Sequence, residues 1–155
     1  MIPNIEVLTE KITEPEYPGN TYKIVFAAKN NPHQVSRGIM SLTMSTEIED
    51  FDRISGYIDD LEAVVQAVYL ILSTERYQFI IYSWDYGVEL VDLIGQPMPY
   101  VMSELPRRIT EALTQDNRID DVVDFEFEQN GKRLRTTFTV VSNVGKISTE
   151  LEVEV

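Results

Sequence analysis

The sequence contains no cysteine and a single histidine, His33, in its 155 residues. Without cysteine the chain has no disulfides and no thiolate metal sites. One histidine in an Asn- and Pro-rich stretch makes neither a metal site nor a catalytic triad, because both need several convergent side chains. The seven glycines are isolated from one another, so there is no glycine-rich phosphate loop. We therefore predict no catalytic residues, no metal and no cofactor.

Long apolar runs and clustered basic residues are also scarce. The most apolar stretch, residues 63–72, has about half the length of a membrane-spanning helix and contains Gln66. The first residues lack the basic and apolar segments of a secretory signal. With 13 Lys and Arg against 26 Asp and Glu, the net charge is −13, which opposes contact with a phosphate backbone. We expect neither nucleic acid nor a membrane as a partner.

Carboxylates are abundant, so counting alone does not exclude an acid pair of the kind that cleaves glycosidic bonds. Glu75 is the one candidate, since it ends an apolar helix where burial would favour the protonated acid. Arg76 follows it directly, and we interpret the two as an ion pair at a helix end. A peptidoglycan-cleaving glycosidase of the lysozyme type stays open as an alternative function. An acidic adaptor that binds a cationic protein is a second alternative.

The pattern along the chain predicts one α+β domain over residues 21–155. Residues 1–20 are acidic and contain three prolines, which indicates an extended arm. Residues 29–49 are polar and loosely patterned, which indicates an insertion or a loop. Strands are predicted over residues 21–28, 39–44 and 53–58.

Two long helices are predicted. The first runs from Asp59 or Asp60 to about Thr74, and it is apolar over so much of its circumference that we expect it at the centre of the domain. The second covers about residues 99–115, and Pro106 should kink or restart it, because the proline ring removes a backbone donor. The buried stripe of the second helix is expected to be Val101, Leu105, Ile109, Ala112 and Leu113.

An aromatic stretch, residues 82–87, lies between the helices and includes the only tryptophan. Residues 78–82 before it are expected to be extended, and residues 88–94 after it to be a short helix or turn. Aromatic side chains that carry a polar group are favoured at interfaces, so Trp84 and Tyr86 are candidates for partner contact. The alternative is that Trp84 fills the core.

The end of the chain predicts a three-stranded antiparallel meander, on which the two helices would pack. Asn130-Gly131 is a favoured pair for a two-residue hairpin turn, because both central residues tolerate positive φ. Counted outward from that turn, the opposed pairs are Phe127 with Leu134, Phe125 with Thr136, Val123 with Phe138, Glu128 with Arg133 and Glu126 with Arg135.

A second turn, over residues 142–145, sets the register of the last strand. Its opposed pairs are Val140 with Ile147, Phe138 with Thr149, Thr136 with Leu151, Arg135 with Glu152 and Arg133 with Glu154. Apolar and charged residues then occupy opposite faces, and a slip of one residue would destroy both. The last strand is expected to be an open edge that accepts a further strand, which indicates assembly rather than catalysis.

Four segments carry a resemblance to a known family. Ser73-Thr74-Glu75-Arg76 is similar to that family's Thr-x-x-Gly-Glu-Arg. Residues 82–87 stand where it has an aromatic-glycine turn, residues 88–95 resemble its short Leu-rich helix, and residues 112–119 its Glu-Pro-Arg signature. Together they resemble the gene-25-like baseplate wedge proteins of contractile phage tails, or sheath initiators, in the branch of PBSX-type prophages and tailocins. The resemblance covers about residues 54–153. Asp116-Asn117-Arg118 departs from it by lacking the proline.

The resemblance implies a structural, non-enzymatic component of a virion or tailocin baseplate, assembled in the bacterial cytoplasm. It implies that the chain joins the wedge and nucleates sheath assembly by offering a strand edge. The expected partners are the wedge proteins and the tail sheath protein, with the tail tube as a further candidate. The residues expected at partner contacts are Glu75, Arg76, Trp84, Tyr86, Asp116, Asn117, Arg118, Leu151, Val153 and Val155.

Overall fold

The computed structural model describes residues 19–26, 34–36, 39–44 and 51–154. In chain order the elements are β1 (Asn20–Phe26), β2 (Gln34–Ser36), β3 (Ile39–Met44), β4 (Phe51–Asp59), α1 (Asp60–Leu72), a 3₁₀ helix (Val91–Leu93), α2 (Met98–Leu113), β5 (Ile119–Asn130), β6 (Arg133–Ser142) and β7 (Gly145–Glu154). The α+β class, with two helices and a C-terminal meander, is confirmed. The expected N-terminal arm lies outside the described residues up to position 18.

Five strands form one mixed sheet in the order β2-β3-β7-β6-β5. The meander β5-β6-β7 is antiparallel as predicted, but β3 runs parallel to β7 and pairs with it from Ile147 to Leu151. The prediction of an open edge on β7 is therefore wrong over those residues, because a strand distant in sequence already pairs there. β2 and β3 lie within residues 29–49, the segment expected to be an insertion or a loop.

The β5–β6 hairpin turns one residue later than predicted. Asn130 pairs with Arg133, so the two central residues are Gly131 and Lys132. Gly131 has a φ of +63°, whereas Lys132 is not among the residues with positive φ. This is the turn type that takes glycine at its first central position. It needs one positive φ, whereas the predicted Asn-Gly turn needs two.

The later turn displaces the hairpin pairs by two residues along β6. The observed pairs include Phe127 with Thr136, Glu128 with Arg135, Glu126 with Thr137 and Val123 with Thr139. The predicted pairs of this hairpin are therefore wrong, although a shift of two residues keeps each side chain on its face up to the bulge. The bulge lies at Asp124, whose φ is +57°, and it re-aims the start of β5.

The β6–β7 register agrees with the prediction at each predicted pair. On its charged face Arg135 lies 2.7 Å from Glu150 and 3.6 Å from Glu152, and Arg133 lies 3.3 Å from Glu152. Exposed ion pairs of this kind contribute about 0.2–1 kcal/mol each. They therefore select the register more than they stabilise the fold.

The two helices and the sheet share one core. Its buried side chains come from α1, α2, β5, β6 and β7, with Val88 and Leu93 from the segment between the helices. α2 buries the five residues of the predicted stripe and continues through Pro106, so the expected restart does not occur. Asp59 precedes α1, but its side chain makes no capping hydrogen bond.

Gln66 of α1 connects that helix to a separate ribbon. β1 and β4, both predicted as strands, form this antiparallel two-stranded sheet. The buried amide of Gln66 donates to the Tyr22 carbonyl at 2.9 Å and accepts from the Ile24 N–H at 2.8 Å. The side chain thus bonds β1 as a neighbouring strand would, which satisfies a polar group on an otherwise apolar helix.

The core contains two hydroxyls, those of Thr136 and Thr149, that are buried and have no hydrogen-bond partner within the described part of the chain. Because an unpaired buried hydroxyl is unfavourable, Thr149→Val is expected to raise the free energy of unfolding by about 1 kcal/mol. Urea unfolding would measure the change. Thr139→Val, at a half-buried position on the opposite face, is the control. A destabilised Thr149→Val variant would contradict this reading of the core.

Candidate functional site

After α1 the chain makes a closed loop, residues 77–86, whose ends are tied together. The Val88 N–H donates to the Thr74 carbonyl at 2.9 Å, and the Arg76 N–H donates to the Val88 carbonyl at 3.1 Å. Gly87 permits this approach, since its φ is +96° and a Cβ there would lie 2.6 Å from the Thr74 carbonyl oxygen. The loop therefore has a fixed base that depends on glycine.

The side chain of Arg76 is buried behind this base. Its Nε donates to the Gly87 carbonyl at 3.1 Å, and its Nη1 lies 3.0 Å from Glu111 of α2 and 3.5 Å from Glu89. A buried cation needs such partners, because an unpaired one is strongly unfavourable. Arg76 thereby links the end of α1, the glycine turn and α2.

Glu75 points to a different set of partners. Its carboxylate accepts hydrogen bonds from the N–H groups of Leu90 and Val91, at 3.1 Å and 3.3 Å. These donors lie at the start of the 3₁₀ helix, where backbone N–H groups lack partners within the helix. The two side chains thus have separate structural partners, which replaces the ion pair predicted between Glu75 and Arg76.

Arg108 of α2 also contacts the 3₁₀ helix and the residues before it. It donates to the Glu89 carbonyl at 2.7 Å and binds both oxygens of the Asp92 carboxylate. The hydrogen bond from Arg108 lowers the pKa of Asp92 below its ordinary value of 3.8 and raises the pKa of Arg108. A lowered carboxylate pKa stabilises the fold at neutral pH, and this contribution is lost as the pH falls through the lowered value.

The turn after α2 is built around Asp116. This carboxylate is buried and accepts three hydrogen bonds from Arg118, from its backbone N–H at 3.0 Å, from Nε at 2.9 Å and from Nη2 at 2.5 Å. The Arg118 side chain is 13% exposed, whereas Asn117 between them is exposed. The segment that the sequence predicts to be a partner contact therefore also determines the local fold.

A cleft of about 630 Å³ separates this turn from the loop base. Its apolar lining comes from Ala67, Leu70 and Ile71 of α1 and from Ala112 of α2, and its remaining lining from Ser83, Asp85, Tyr86, Gly87, Thr114, Gln115, Asp116, Asn117 and Arg118. Two segments that are distant in sequence, residues 83–87 and 114–118, thus face one cavity. Apolar walls with a few polar groups are typical of a binding site.

The structure brings together part of the predicted site. Four of the predicted residues line the cleft, namely Tyr86, Asp116, Asn117 and Arg118. Tyr86 stacks on Tyr82 with ring centroids 4.6 Å apart. Trp84 is 77% exposed, so the alternative that it fills the core is wrong.

The other predicted residues lie elsewhere. Glu75 and Arg76 are engaged by the contacts that fix the loop base. Leu151 and Val153 are buried in the core, because they lie on the core face of β7. Val155 lies outside the described residues.

Sequence reasoning missed the apolar tip of the loop. Residues 78–82 are a series of turns rather than an extended segment, and Ile80 and Ile81 are 102% and 84% exposed. A short apolar run resembles a buried strand, because periodicity cannot separate the two over five residues. It also missed Ala67 and Leu70, although the wide apolar surface of α1 was a signal for a second contact face.

Comparison with known proteins identifies the family. The sequence model of the contractile injection system sheath initiators matches residues 40–145. The chain belongs to this family. It is also 38% identical, over 113 residues or 71% of its length, to the phage-like element PBSX protein XkdS of Bacillus subtilis strain 168, of which the match covers 80%. A chain in the cryo-EM structure of the anti-feeding prophage baseplate is similar at 21% identity and a TM-score of 0.47, covering 78% of this chain and 86% of that one.

Membership of the sheath initiators makes this chain a structural component of a contractile-tail baseplate. Within the described residues no helix is long and apolar enough to cross a membrane. The same residues contain no group of three or more His, Asp or Glu side chains placed to hold a metal ion.

Removal of the Asp116 carboxylate is expected to destabilise the protein. Asp116→Ala leaves the mostly buried Arg118 guanidinium without its carboxylate, so the free energy of unfolding should fall by about 1.5–3 kcal/mol. Asp120→Ala removes an exposed acid four residues later and should change it by about 0.5 kcal/mol or less. Thermal and urea unfolding would compare the two, and equal effects would show that Asp116 does not hold the turn.

Proposed function

We propose that this sheath initiator joins the baseplate wedge through the cleft between residues 83–87 and 114–118. The observation that carries the proposal is that these two segments, both part of the family resemblance, line one cavity. Asp116 and Arg118 lie in the segment that resembles the family's Glu-Pro-Arg signature, where the resemblance implies contact with the wedge. The missing proline is offset here by the three hydrogen bonds that fix the turn.

The cleft is suited to a protein segment with apolar side chains and a basic flank. Ala67 and Leu70 provide an apolar wall that is half-buried in this chain. Asp85 adds an exposed carboxylate, and the net charge of the chain is −13. An acidic surface favours association with a basic partner by attraction during encounter.

A bulky side chain in the cleft should block wedge binding without unfolding the protein. Ala67→Trp places an indole at a half-buried position that lines the cleft. We expect the melting temperature to change by only a few degrees, because the cleft has room for the ring. Incorporation into baseplates, measured by mass spectrometry of purified particles, should be lost.

The matched control is Glu62→Trp, which places the same residue at an exposed position of α1 outside the cleft lining. It should enter particles normally. Normal incorporation of a folded Ala67→Trp variant would contradict the proposed wedge site.

We further propose that sheath assembly starts on the outer edge of β5. Within the described residues of the five-stranded sheet, β7 is paired on both sides from Ile147 to Leu151, β2 has only three residues, and β5 pairs with β6 alone. β5 is 12 residues long and carries five carboxylates and a bulge, which are features that restrict an exposed edge to selected partners. Such an edge can accept a strand from another protein.

The turn geometry identifies which β5 donors face outward. In a two-residue hairpin the closing pair, here Asn130 and Arg133, exchanges hydrogen bonds. The direction of the backbone N–H alternates along a strand. The N–H of Glu128 therefore points toward β6, and the N–H groups of Gln129 and Phe127 point outward.

Gln129→Pro should therefore keep the fold and weaken sheath initiation, because it removes one outward donor. Glu128→Pro is the matched comparison, and it should destabilise the monomer by removing a donor from the β5–β6 ladder. Unfolding curves would compare the stabilities of the two variants. Electron microscopy of sheath growth on purified baseplates would measure sheath initiation by the Gln129→Pro variant. A folded Gln129→Pro variant that starts sheaths at the normal rate would exclude this part of the edge.

The geometry gives no support to the glycosidase alternative. Glu75, its only candidate acid, accepts backbone hydrogen bonds from Leu90 and Val91 and is engaged by the 3₁₀ helix. It does not line the cleft. We therefore propose a non-enzymatic role, with assembly in the bacterial cytoplasm alongside the wedge and sheath proteins.

A further inference from the structure

The loop of residues 77–86 exposes an unusual amount of apolar surface. Tyr77, Phe79, Ile80, Ile81 and Trp84 are all at least half exposed, and the two isoleucines project into solvent almost completely. Soluble proteins rarely expose adjacent apolar side chains without a binding role. Because Ser83, Asp85 and Tyr86 are the loop residues that line the cleft, the isoleucine tip is a surface separate from the cleft.

The loop is held in a defined shape before any partner binds. Its base is closed by the two backbone hydrogen bonds across Gly87, and turns follow from Phe79 to Tyr82 and from Ser83 to Tyr86. Ring contacts join Tyr77 to Trp84 at 5.9 Å and Phe79 to Tyr82 at 6.2 Å between centroids. A closed loop of this length, packed by its own side chains, is often a functional element. A preformed shape also lowers the entropy cost of binding.

The charges around the loop indicate what it binds. Residues 77–84 carry no charged side chain, whereas Asp85 directly after them is exposed and the chain as a whole has a net charge of −13. An anionic membrane would be repelled, and the loop lacks the Lys and Arg that interfacial anchors use. A second copy of the chain would bring the same negative charge. A protein with an apolar pocket and a basic rim would accept the uncharged loop tip and would not be repelled by the negative charge of this chain.

We propose that the loop tip, Phe79 to Ile81 together with Trp84, inserts into an apolar pocket of another baseplate protein whose rim carries Lys or Arg. The inference rests on the proposed role in baseplate assembly and adds a second contact to the cleft. The β-branched isoleucines lose little side-chain entropy on insertion, and the aromatic side chains around them are those enriched at the centres of interfaces.

The absence of cysteine from the chain permits a direct test. Ile81→Cys introduces the chain's only thiol, and its alkylation by a maleimide is followed by mass spectrometry of this chain, in the free protein and in purified particles. We expect rapid labelling of the free protein and loss of labelling in particles. Val144→Cys, at the exposed β6–β7 turn, reports whether the reagent reacts readily with this chain outside the loop. A thiol at position 81 that reacts equally fast in both states would overturn the proposal.

A competition experiment tests whether the contact matters. Ile80→Ser with Ile81→Ser should leave the melting temperature unchanged, because both side chains face water in the free protein. When variant and wild type are produced together, the variant should enter particles about 30-fold less than the wild type, the loss expected for a central apolar contact. Ile94→Ser, another exposed isoleucine outside the loop, should compete equally. Equal incorporation of the double variant would overturn the proposal.

Two further outcomes identify the occupant. A photo-crosslinker at position 81, used in purified particles, should join an apolar pocket with Lys or Arg beside it in a different protein. A crosslink to another copy of this chain would overturn the proposal that the partner is a different protein. A blue shift of the Trp84 emission on addition of phosphatidylcholine–phosphatidylglycerol vesicles would indicate membrane binding and would overturn it as well.

The same samples separate this inference from the proposed function. If the wild-type chain is missing from purified particles, the baseplate role itself fails, and this inference fails with it. If the chain is present and the thiol at position 81 stays reactive, only the loop contact fails.

Discussion

The buried guanidinium of Arg76 is the contact on which the arrangement of the helices and the loop depends. It reaches the Gly87 carbonyl and the carboxylates of Glu111 and Glu89, so one side chain joins the end of α1, the loop base and α2. The energy of a buried cation depends strongly on its partners. Since the guanidinium and its partners come from three segments, none of the three can shift without leaving the charge poorly satisfied. Gly87, one of these partners, lines the cleft, and the exposed loop begins directly after Arg76.

Local sequence patterns correctly predicted the features that depend on residues close together in the sequence. The buried stripe of α2 follows from the helical period, and the β6–β7 register follows from two faces of opposite character joined by a short turn. The predicted β5–β6 register was wrong because the turn lies one residue later than predicted. Asn130-Gly131 satisfies the rule for a turn with two positive φ values, but the chain places glycine first and needs only one. Both choices keep the apolar face inward up to the bulge, so hydrophobic patterning could not separate them.

Predictions that depend on distant segments were less secure. The open edge of β7 was inferred from the end of the chain alone, whereas β3, about a hundred residues earlier, pairs along it. No local pattern encodes a parallel partner, which requires a crossover connection. The wide apolar surface of α1 was taken as a sign of full burial. Part of it faces the cleft instead, and its most polar residue, Gln66, bonds the backbone of β1. Likewise Asp116 was expected only at a partner contact, because the pattern does not reveal that Arg118 folds back over it.

The distribution of charge and apolar surface follows from a role in assembly. A monomer with exposed isoleucines and a β5 edge that no other described strand pairs would associate with itself unless something opposed this. A net charge of −13 provides long-range repulsion between copies, and the carboxylates along β5 restrict pairing at its edge. The same charge attracts basic surfaces. Under the proposed contacts, a chain built in this way would remain separate from its own copies and would be drawn toward different, basic proteins, as a component placed at defined positions in a baseplate requires. The proposed contacts therefore give the acidity of the chain a part in the selection of partners.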